Sequence, residues 1–451
     1  MKDYMTSEIF NNLKQKAQKN RFESSDSRIE RLQKLSLWIK KNESLIEQAL
    51  KADFNKPDFE TQITEIVVVQ AELKHFIQNL SFWMKDKKVP TPISLVDHAS
   101  LIRFESKGVI LIIAPWNYPF HLAIMPLIAA LAAGNTVILK PSELTPATSN
   151  LIQKMCEQVF QKDEVIVELG GKEKTEELLS YDINHVFFTG STAVGRIIAK
   201  SCAERLIPYT LELGGKSPAI VDSTANISEA VKKIHWGKFL NRGQTCVAPD
   251  IIYLHKNIKT EFLRLFKERN NKINADSPSQ IINSSHEERL SKLAGRFIDF
   301  ETEYTFLIDL SDQKIKNKSI ETEEIFGPFA IVYEFETIAD IEKIYKKNKN
   351  PLSLYIFSEN NEFIDKALNT FPSGGVGINT LVVQLANHNL PFGGIGNSGQ
   401  GKYHGYFGFL ECSHQRAVIE QKYIHFSLDL LFPPYSKRKL KFIEALKKLV
   451  T

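Results

Sequence analysis

A chain of 451 residues exceeds what one hydrophobic core comfortably organises, so two or more domains with a cleft between them are expected. A composition of 43% hydrophobic and 24% charged residues excludes a disordered, fibrous or collagen-like protein. With 57 basic against 53 acidic residues, net +4, the charge gives no reason to expect a nucleic-acid partner.

The N-terminus lacks the apolar core of an export signal and reads as charged, soluble helix, so a cytoplasmic location is expected. Between Ser27 and Leu50 apolar residues (Ile29, Leu32, Leu35, Leu37, Ile39, Leu45, Ile46, Leu50) recur at helical steps, and Glu65 to Trp83 repeats the pattern. Val89-Pro-Thr-Pro92 then breaks it before a β-rich run to Arg103, which reads as an extended arm or hairpin. Gly108 to Ala114 is an apolar strand, Leu122 to Ala133 a helix, and Thr136 to Lys140 a strand again. That helix carries Pro126 and falls well short of the ~20 residues of a membrane span. The rhythm continues with a helix near 147–160, a strand at 165–167, a helix near 173–179 and a strand from His185 ending at Thr189-Gly190-Ser191. Such alternation predicts an α/β fold with a doubly wound parallel sheet, whose ligands bind beyond the carboxyl ends of its strands. A second α/β set follows Gly214-Gly215, with strands at 219–221 and 354–357. Beyond Gly401 the chain turns β-like, and from Lys437 it ends in a basic tail.

Cys156, Cys202, Cys246 and Cys412 form no C-x-x-C pair, and His286-Glu-Glu-Arg lacks the second histidine of a metalloprotease motif, so reduced thiols and no metal are expected. Asn241-Arg-Gly-Gln-Thr-Cys246 is a polar, glycine-containing turn that leaves the Cys246 amide able to face a carbonyl oxygen, half of an oxyanion hole. A lone cysteine is ordinarily an inert core residue, and its context must supply the reactivity. Glu212-Leu-Gly-Gly-Lys216 leaves a carboxylate at a strand end, able to activate water or simply to form a surface ion pair. Glu168-Leu-Gly-Gly-Lys172 repeats the same letters as a decoy. Asn117, in the turn Ala114-Pro-Trp-Asn-Tyr-Pro-Phe120, either donates to a developing oxyanion or caps the next helix.

Taken together, Pro115-Trp-Asn-Tyr-Pro119, Lys140-Pro-Ser-Glu143, Phe188-Thr-Gly-Ser-Thr-Ala-Val-Gly195, Glu212-Leu-Gly-Gly-Lys216, Gly243-Gln-Thr-Cys246, Glu324-Ile-Phe-Gly-Pro328 and Leu390-Pro-Phe-Gly-Gly394 resemble, in order, the motifs of the aldehyde dehydrogenase superfamily. Cys246-Val-Ala-Pro-Asp250, Ser398 to Gly405, Ser413-His414 and Pro433-Pro-Tyr435 resemble its class 3 and fatty aldehyde members. The resemblance covers roughly residues 20 to 420.

The resemblance implies oxidation of medium- or long-chain aliphatic or aromatic aldehydes to carboxylates, with NAD or NADP as cofactor. Cys246 is then the nucleophile, Asn117 an oxyanion donor and Glu212 the water-activating base; Glu168 lies too early in the chain for that role. It places Lys140 and Glu143 near the adenosine ribose, Gly190, Ser191 and Val194 near the pyrophosphate, Glu324 on the nicotinamide ribose, Phe326 against the nicotinamide side, Trp116 among the cofactor-binding residues, and Tyr118 in the aldehyde pocket wall. It also implies a homodimer, a dinucleotide-binding domain over 1–82 and 104–212, a catalytic domain over 213–388, a small β bridging element over 83–103 and 389–430, and a basic tail over 431–451. A CoA-acylating enzyme and a non-catalytic protein of the same fold are the alternatives, and the presence of Glu212, Cys246 and Asn117 argues against both.

Gly394-Ile-Gly-Asn-Ser-Gly399 formally matches G-x-G-x-x-G, but no strand precedes it and no helix follows, so it is read as a loop near the substrate side. In the tail, Leu440, Ile443, Leu446 and Val450 recur at helical intervals among basic residues, a pattern of either a solvated helix or a weak peripheral contact with an anionic membrane.

Overall fold

Five residues, Val109-Ile-Leu-Ile-Ile113, are β-branched or leucine and all buried, and they form the middle of a six-stranded sheet. The computed structural model describes residues 5–92, 95, 98–272, 279–310, 318–422 and 432–450. Across this sheet the strands run Gly399–Gln400, Tyr209–Leu213, His185–Gly190, Val109–Ile113, Thr136–Lys140 and Val165–Val167. All pairs are parallel except Gly399–Gln400 on Tyr209–Leu213. The helix His121–Ala132 is apolar on every side and almost wholly buried, packed between this sheet and the helices Ser25–Lys41 and Val67–Trp83.

A second six-stranded sheet, entirely parallel, runs Phe306–Asp309, Phe329–Phe335, Ile251–His255, Pro218–Val221, Ser353–Phe357 and Gly375–Ile378. The helical region expected over 27–50 is two helices, Ser25–Lys41 and Glu43–Phe54, broken at Asn42. Ser24 caps the first by accepting from the Ser27 amide at 3.3 Å.

The chain divides into one unit of residues 1–83 with 105–414 and another of 84–104 with 415–451. In the smaller unit, Lys87–Val89 pairs antiparallel with His98–Ser106, which lies beside Ser413–Gln421. The Arg103 guanidinium clamps Asp86 at 3.2 and 2.8 Å. The bridging element expected over 389–430 therefore needs correction, because residues 389–414 belong to the larger unit. Gly399–Gln400 completes the first sheet, and the helix Gly405–Glu411 packs on His121–Ala132 and Val67–Trp83. The tail forms a helix, Lys437–Val450, with Leu440 exposed. The 423–430 part of the expected bridging element and the side chains of Leu446 and Val450 lie outside the described residues. No helix among the described residues is long and apolar enough to cross a membrane.

Candidate active site

A reversal of chain direction in the first sheet creates the cavity. From Val109–Ile113 the chain steps outward to Thr136–Lys140 and Val165–Val167, then returns to lay His185–Gly190 on the opposite side. The segments leaving these two adjacent strands diverge, so a crevice opens at their carboxyl ends. It holds a cavity of about 640 Å³, lined by Trp116 and Asn117 from the first strand's exit and by Gly190 and Ser191 from the second's. Gly214, Lys216, Cys246, Glu324 and Phe326, from segments joining the second sheet, line it as well.

Glu212 closes the strand Tyr209–Leu213 and faces this cavity. Both of its oxygens are buried without a hydrogen-bond partner. Burial pushes its carboxyl well above the ordinary range and Glu411 adds to this, while the Lys402 ammonium opposes it. Cys246 follows the turn at 241–243 and is partly buried at the cavity wall. Its turn is pinned by the Tyr355 hydroxyl, which donates to the Val247 carbonyl at 2.7 Å. Burial, then the Glu324 and Glu212 carboxylates, push the thiol up to about 12, against the pull of the Cys246 and Val247 amides.

Asn117 is tied to the cysteine turn from both ends of its residue. Its side-chain amide donates to the Gln244 carbonyl at 3.0 Å, and its own carbonyl accepts from the Asn241 side chain at 2.8 Å. Glu324 is held against the Gly214-Gly215 backbone, close enough that a Cβ on Gly214 would sit 2.0 Å from its Oε2. Burial and then the Asp250 carboxylate raise Glu324 to about 8, opposed by the Gly215 amide and by Lys216 and Lys238. Asp250 fixes the backbone beside it, accepting from the Ile325 amide at 2.9 Å and from Lys216 and Lys238 at 3.1 and 3.4 Å. Phe326 meets Trp116 edge-on with centroids 5.4 Å apart. Ser191 caps the helix Thr192–Glu204, accepting from the Val194 amide at 3.4 Å, and leaves that helix's amino end at the cavity.

Four residues expected at the site do not line the cavity: Tyr118, Lys140, Glu143 and Val194. The Tyr118 hydroxyl is buried against Thr245 Oγ1 at 2.6 Å, with the Lys56 ammonium 4.1 Å from its ring centroid. Lys140 and Glu143 form an ion pair at 3.3 Å with Glu143 half-exposed, and the Val194 side chain is 42% exposed. The decoy Glu168 lies outside the cavity and pairs with Lys174 at 3.4 Å.

The Gly394–Gly399 segment, expected as a loop near the substrate side, pairs through Gly399 with Glu212 and also meets the start of the helix Thr192–Glu204. The Thr192 hydroxyl donates to the Asn397 carbonyl at 3.1 Å, and Arg196 to its side chain at 3.2 Å. His286, Arg196, Arg289 and Asn397 line the cavity without having been singled out as site residues. For Arg196 a signal existed, because it lies four residues after Thr192 on the same helix face. His286 had none beyond its failed metal motif, and it reaches the cavity by packing edge-on against Trp116 at 5.2 Å. Among the described residues no group of three His, Cys, Asp or Glu is placed to hold a metal ion.

Residues 8–418 match the aldehyde dehydrogenase family. The chain is 41% identical over 433 residues to the 4,4'-diaponeurosporen-aldehyde dehydrogenase of Staphylococcus aureus, covering 93% of this chain and 94% of that protein. It is 35% identical over 440 residues to aldehyde dehydrogenase family 3 member B1 of Rattus norvegicus, covering 94% of this chain and 93% of that one. Among solved structures, the substrate-bound state of Staphylococcus aureus AldH superposes with a TM-score of 0.92 at 37% identity, covering 98% of this chain and 99% of that one.

Proposed function

Because this chain belongs to the aldehyde dehydrogenase family, on its class 3 side, and oxidises aldehydes to carboxylic acids with NAD or NADP, we propose that the reaction runs through a thioester on Cys246, with Asn117 stabilising the oxyanion and Glu212 activating water. The observation that carries this reading is that these three residues, drawn from distant parts of the sequence, line one cavity.

The donor set fits a nicotinamide dinucleotide. Glu324, partly buried and bonded to the Gly215 amide, would accept from the nicotinamide-ribose hydroxyls. The amino end of the helix Thr192–Glu204, with Gly190 and Ser191, would receive the diphosphate. Trp116 and Phe326 form an aromatic corner for the nicotinamide side. Lys140 and Glu143 would meet the adenosine ribose from outside the cavity lining, and Val194, in the first turn of the helix Thr192–Glu204, would border the diphosphate. When bound, the nicotinamide supplies the hydride acceptor and a positive charge that counters the two carboxylates holding up the thiol.

Cys246 attacks the aldehyde carbon as a thiolate, and the carbonyl oxygen becomes an oxyanion. The Asn117 amide has two hydrogens; one is spent on Gln244, leaving the other for this oxyanion together with the Cys246 N–H. Loss of hydride from the thiohemiacetal leaves an acyl group on Cys246. Glu212 then takes a proton from water as the water oxygen bonds to the acyl carbon, and collapse of the adduct expels the Cys246 sulfur and frees the carboxylic acid. A carboxylate with a raised pKa and no partner suits that role, because it carries lone pairs that nothing else in the protein uses.

For substrate, Leu122, Phe392 and Tyr403 give the cavity an apolar side, which supports medium- or long-chain aliphatic or aromatic aldehydes. The bond of the Tyr118 hydroxyl to Thr245, the residue before Cys246, supports a place for Tyr118 near that wall. The exposed strand Ser413–Gln421, at the edge of its sheet, supports a homodimer, and the basic helix Lys437–Val450 supports a weak peripheral contact with anionic lipid from a cytoplasmic enzyme. The test is the appearance of reduced nucleotide with NAD or NADP over linear aldehydes and benzaldehyde, for wild type, Cys246→Ala and Glu212→Gln. Turnover by wild type, none by Cys246→Ala and a single burst by Glu212→Gln is the expected result. Full turnover by Cys246→Ala overturns the thioester route.

A further inference from the structure

The three residues before Gln244-Thr245-Cys246 all have positive φ: Asn241 at 49°, Arg242 at 56° and Gly243 at 71°. Glycine adopts this left-handed region freely and asparagine at small cost, but arginine does not, and a run of three is a left-handed turn that the chain does not make unaided. Something must hold it. At its exit the Arg242 guanidinium is pinned on the Phe300 carbonyl at 2.9 Å. At its entry the Asn241 backbone N–H, wholly buried, donates to Glu60 Oε1 at 2.7 Å.

Glu60 comes from the short helix Asp58–Thr61, 181 residues away in sequence, and is itself buried. Burial holds its carboxyl above the ordinary range and Glu65 adds to this, while the Lys56 ammonium and the Asn241 amide oppose it. It does not line the cavity and touches no reacting atom. The residue it holds reaches both halves of the proposed machinery, because the Asn241 side chain donates to the Asn117 carbonyl at 2.8 Å and to the Gln244 carbonyl at 3.2 Å.

We propose that Glu60 is a positioning residue for aldehyde oxidation: by accepting the Asn241 amide it holds the left-handed turn that sets Cys246 and Asn117 at a common distance from the aldehyde carbon. This rests on the proposed roles of Cys246 and Asn117. Glu60 acts at acylation, where sulfur and oxyanion donor must be aligned together, and not at nucleotide binding, which uses the other end of the cavity.

The test compares Glu60→Ala and Glu60→Gln with wild type, measuring the rate of the first turnover per nucleotide-binding site, the nucleotide Kd and the Tm. Glutamine keeps an oxygen that can accept the amide, whereas alanine does not. Glu60→Ala is expected to slow the first turnover about 10- to 100-fold, since a small misplacement of reacting groups costs that much, with nucleotide Kd within about twofold of wild type. Glu60→Gln is expected to recover most of the rate. A wild-type first turnover in Glu60→Ala, or a loss in Glu60→Gln as large as in Glu60→Ala, overturns the proposal. If Glu60→Ala does not fold, Glu60→Asp takes its place, since it keeps a buried carboxyl one methylene short of the amide; a wild-type first turnover in that variant likewise overturns the proposal. A Cys246→Ser control separates the two levels: if wild type and Cys246→Ser turn over alike, the reading of the site fails first and the role of Glu60 with it.

Discussion

The Asn117 side chain donates to the Gln244 carbonyl at 3.0 Å, across 127 residues of sequence. One of its two N–H bonds is therefore fixed, and the direction of the other follows from the planarity of the amide rather than from a free rotamer. An oxyanion donor held this way needs no reorganisation during the reaction.

Replacing Asn117 by alanine accordingly removes a preorganised donor. Stopped-flow measurement of the first turnover should show it slowed about 10²–10³-fold, with nucleotide affinity little changed. A loss under about fivefold would assign the oxyanion to the Cys246 amide alone.

The thiol of Cys246, pushed up to about 12 by burial and then by Glu324 and Glu212, is protonated in the nucleotide-free enzyme at neutral pH. Since the thiolate is the reactive form, its alkylation by iodoacetamide should rise about tenfold per pH unit from neutral to mildly alkaline conditions, without a plateau. Glu324→Gln removes a carboxylate that holds the thiol up and should speed this alkylation at a fixed pH above about 8, where Glu324 is ionised. A plateau near neutral pH would show a thiolate already formed.

The proposed role of Glu212 as base couples catalysis to stability in opposite senses. Its folded-state pKa lies well above the ordinary carboxylate range because of burial. Between that range and the raised value the folded protein keeps a proton that the unfolded chain has released. Stability contributed by Glu212 is thus full at low pH and declines as pH rises through this window. Glu212→Gln has no such decline. Its Tm should exceed that of wild type by more at about pH 8 than at about pH 5, while the thioester it forms is hydrolysed slowly. Equal Tm differences at both pH values would mean that the carboxylate is solvated.

What could be read from sequence was local. The strand before Asn117, the strand end at Glu212 and the turn at Cys246 each advertise themselves within a few residues, because a buried strand must be apolar and its exit must turn. What could not be read was assembled from a distance. Nothing near Glu60 says that its carboxylate meets the Asn241 amide, and nothing near His286 points to Trp116. The boundary at 389–414 was misread because the strand that carries the segment into the first sheet has two residues, Gly399 and Gln400, too few to show a period. Lys140 and Glu143 stand between the two cases, since their motif is legible but their ion pair at 3.3 Å lies outside the cavity lining.

Two glycines at the site separate folding from binding. At Gly243, with φ 71°, an added Cβ would lie 2.0 Å from the Gly327 carbonyl oxygen, a backbone atom that cannot move without its strand-side neighbours. Gly243→Ala should therefore lose well over ~1 kcal/mol of stability and lower Tm measurably, with activity falling because the left-handed turn fails. At Gly214 the same methyl would lie 2.0 Å from Glu324 Oε2, the far end of a side chain that can swing away. Gly214→Ala should fold with a Tm close to wild type, yet bind nucleotide at least about tenfold more weakly, because Glu324 is displaced from the cavity and each lost charged hydrogen bond is worth about 1.5–3 kcal/mol. Calorimetric titration with NAD on both variants distinguishes the two effects. If Gly214→Ala bound NAD like wild type, Glu324 would have to hold the cofactor from another rotamer or not hold it at all.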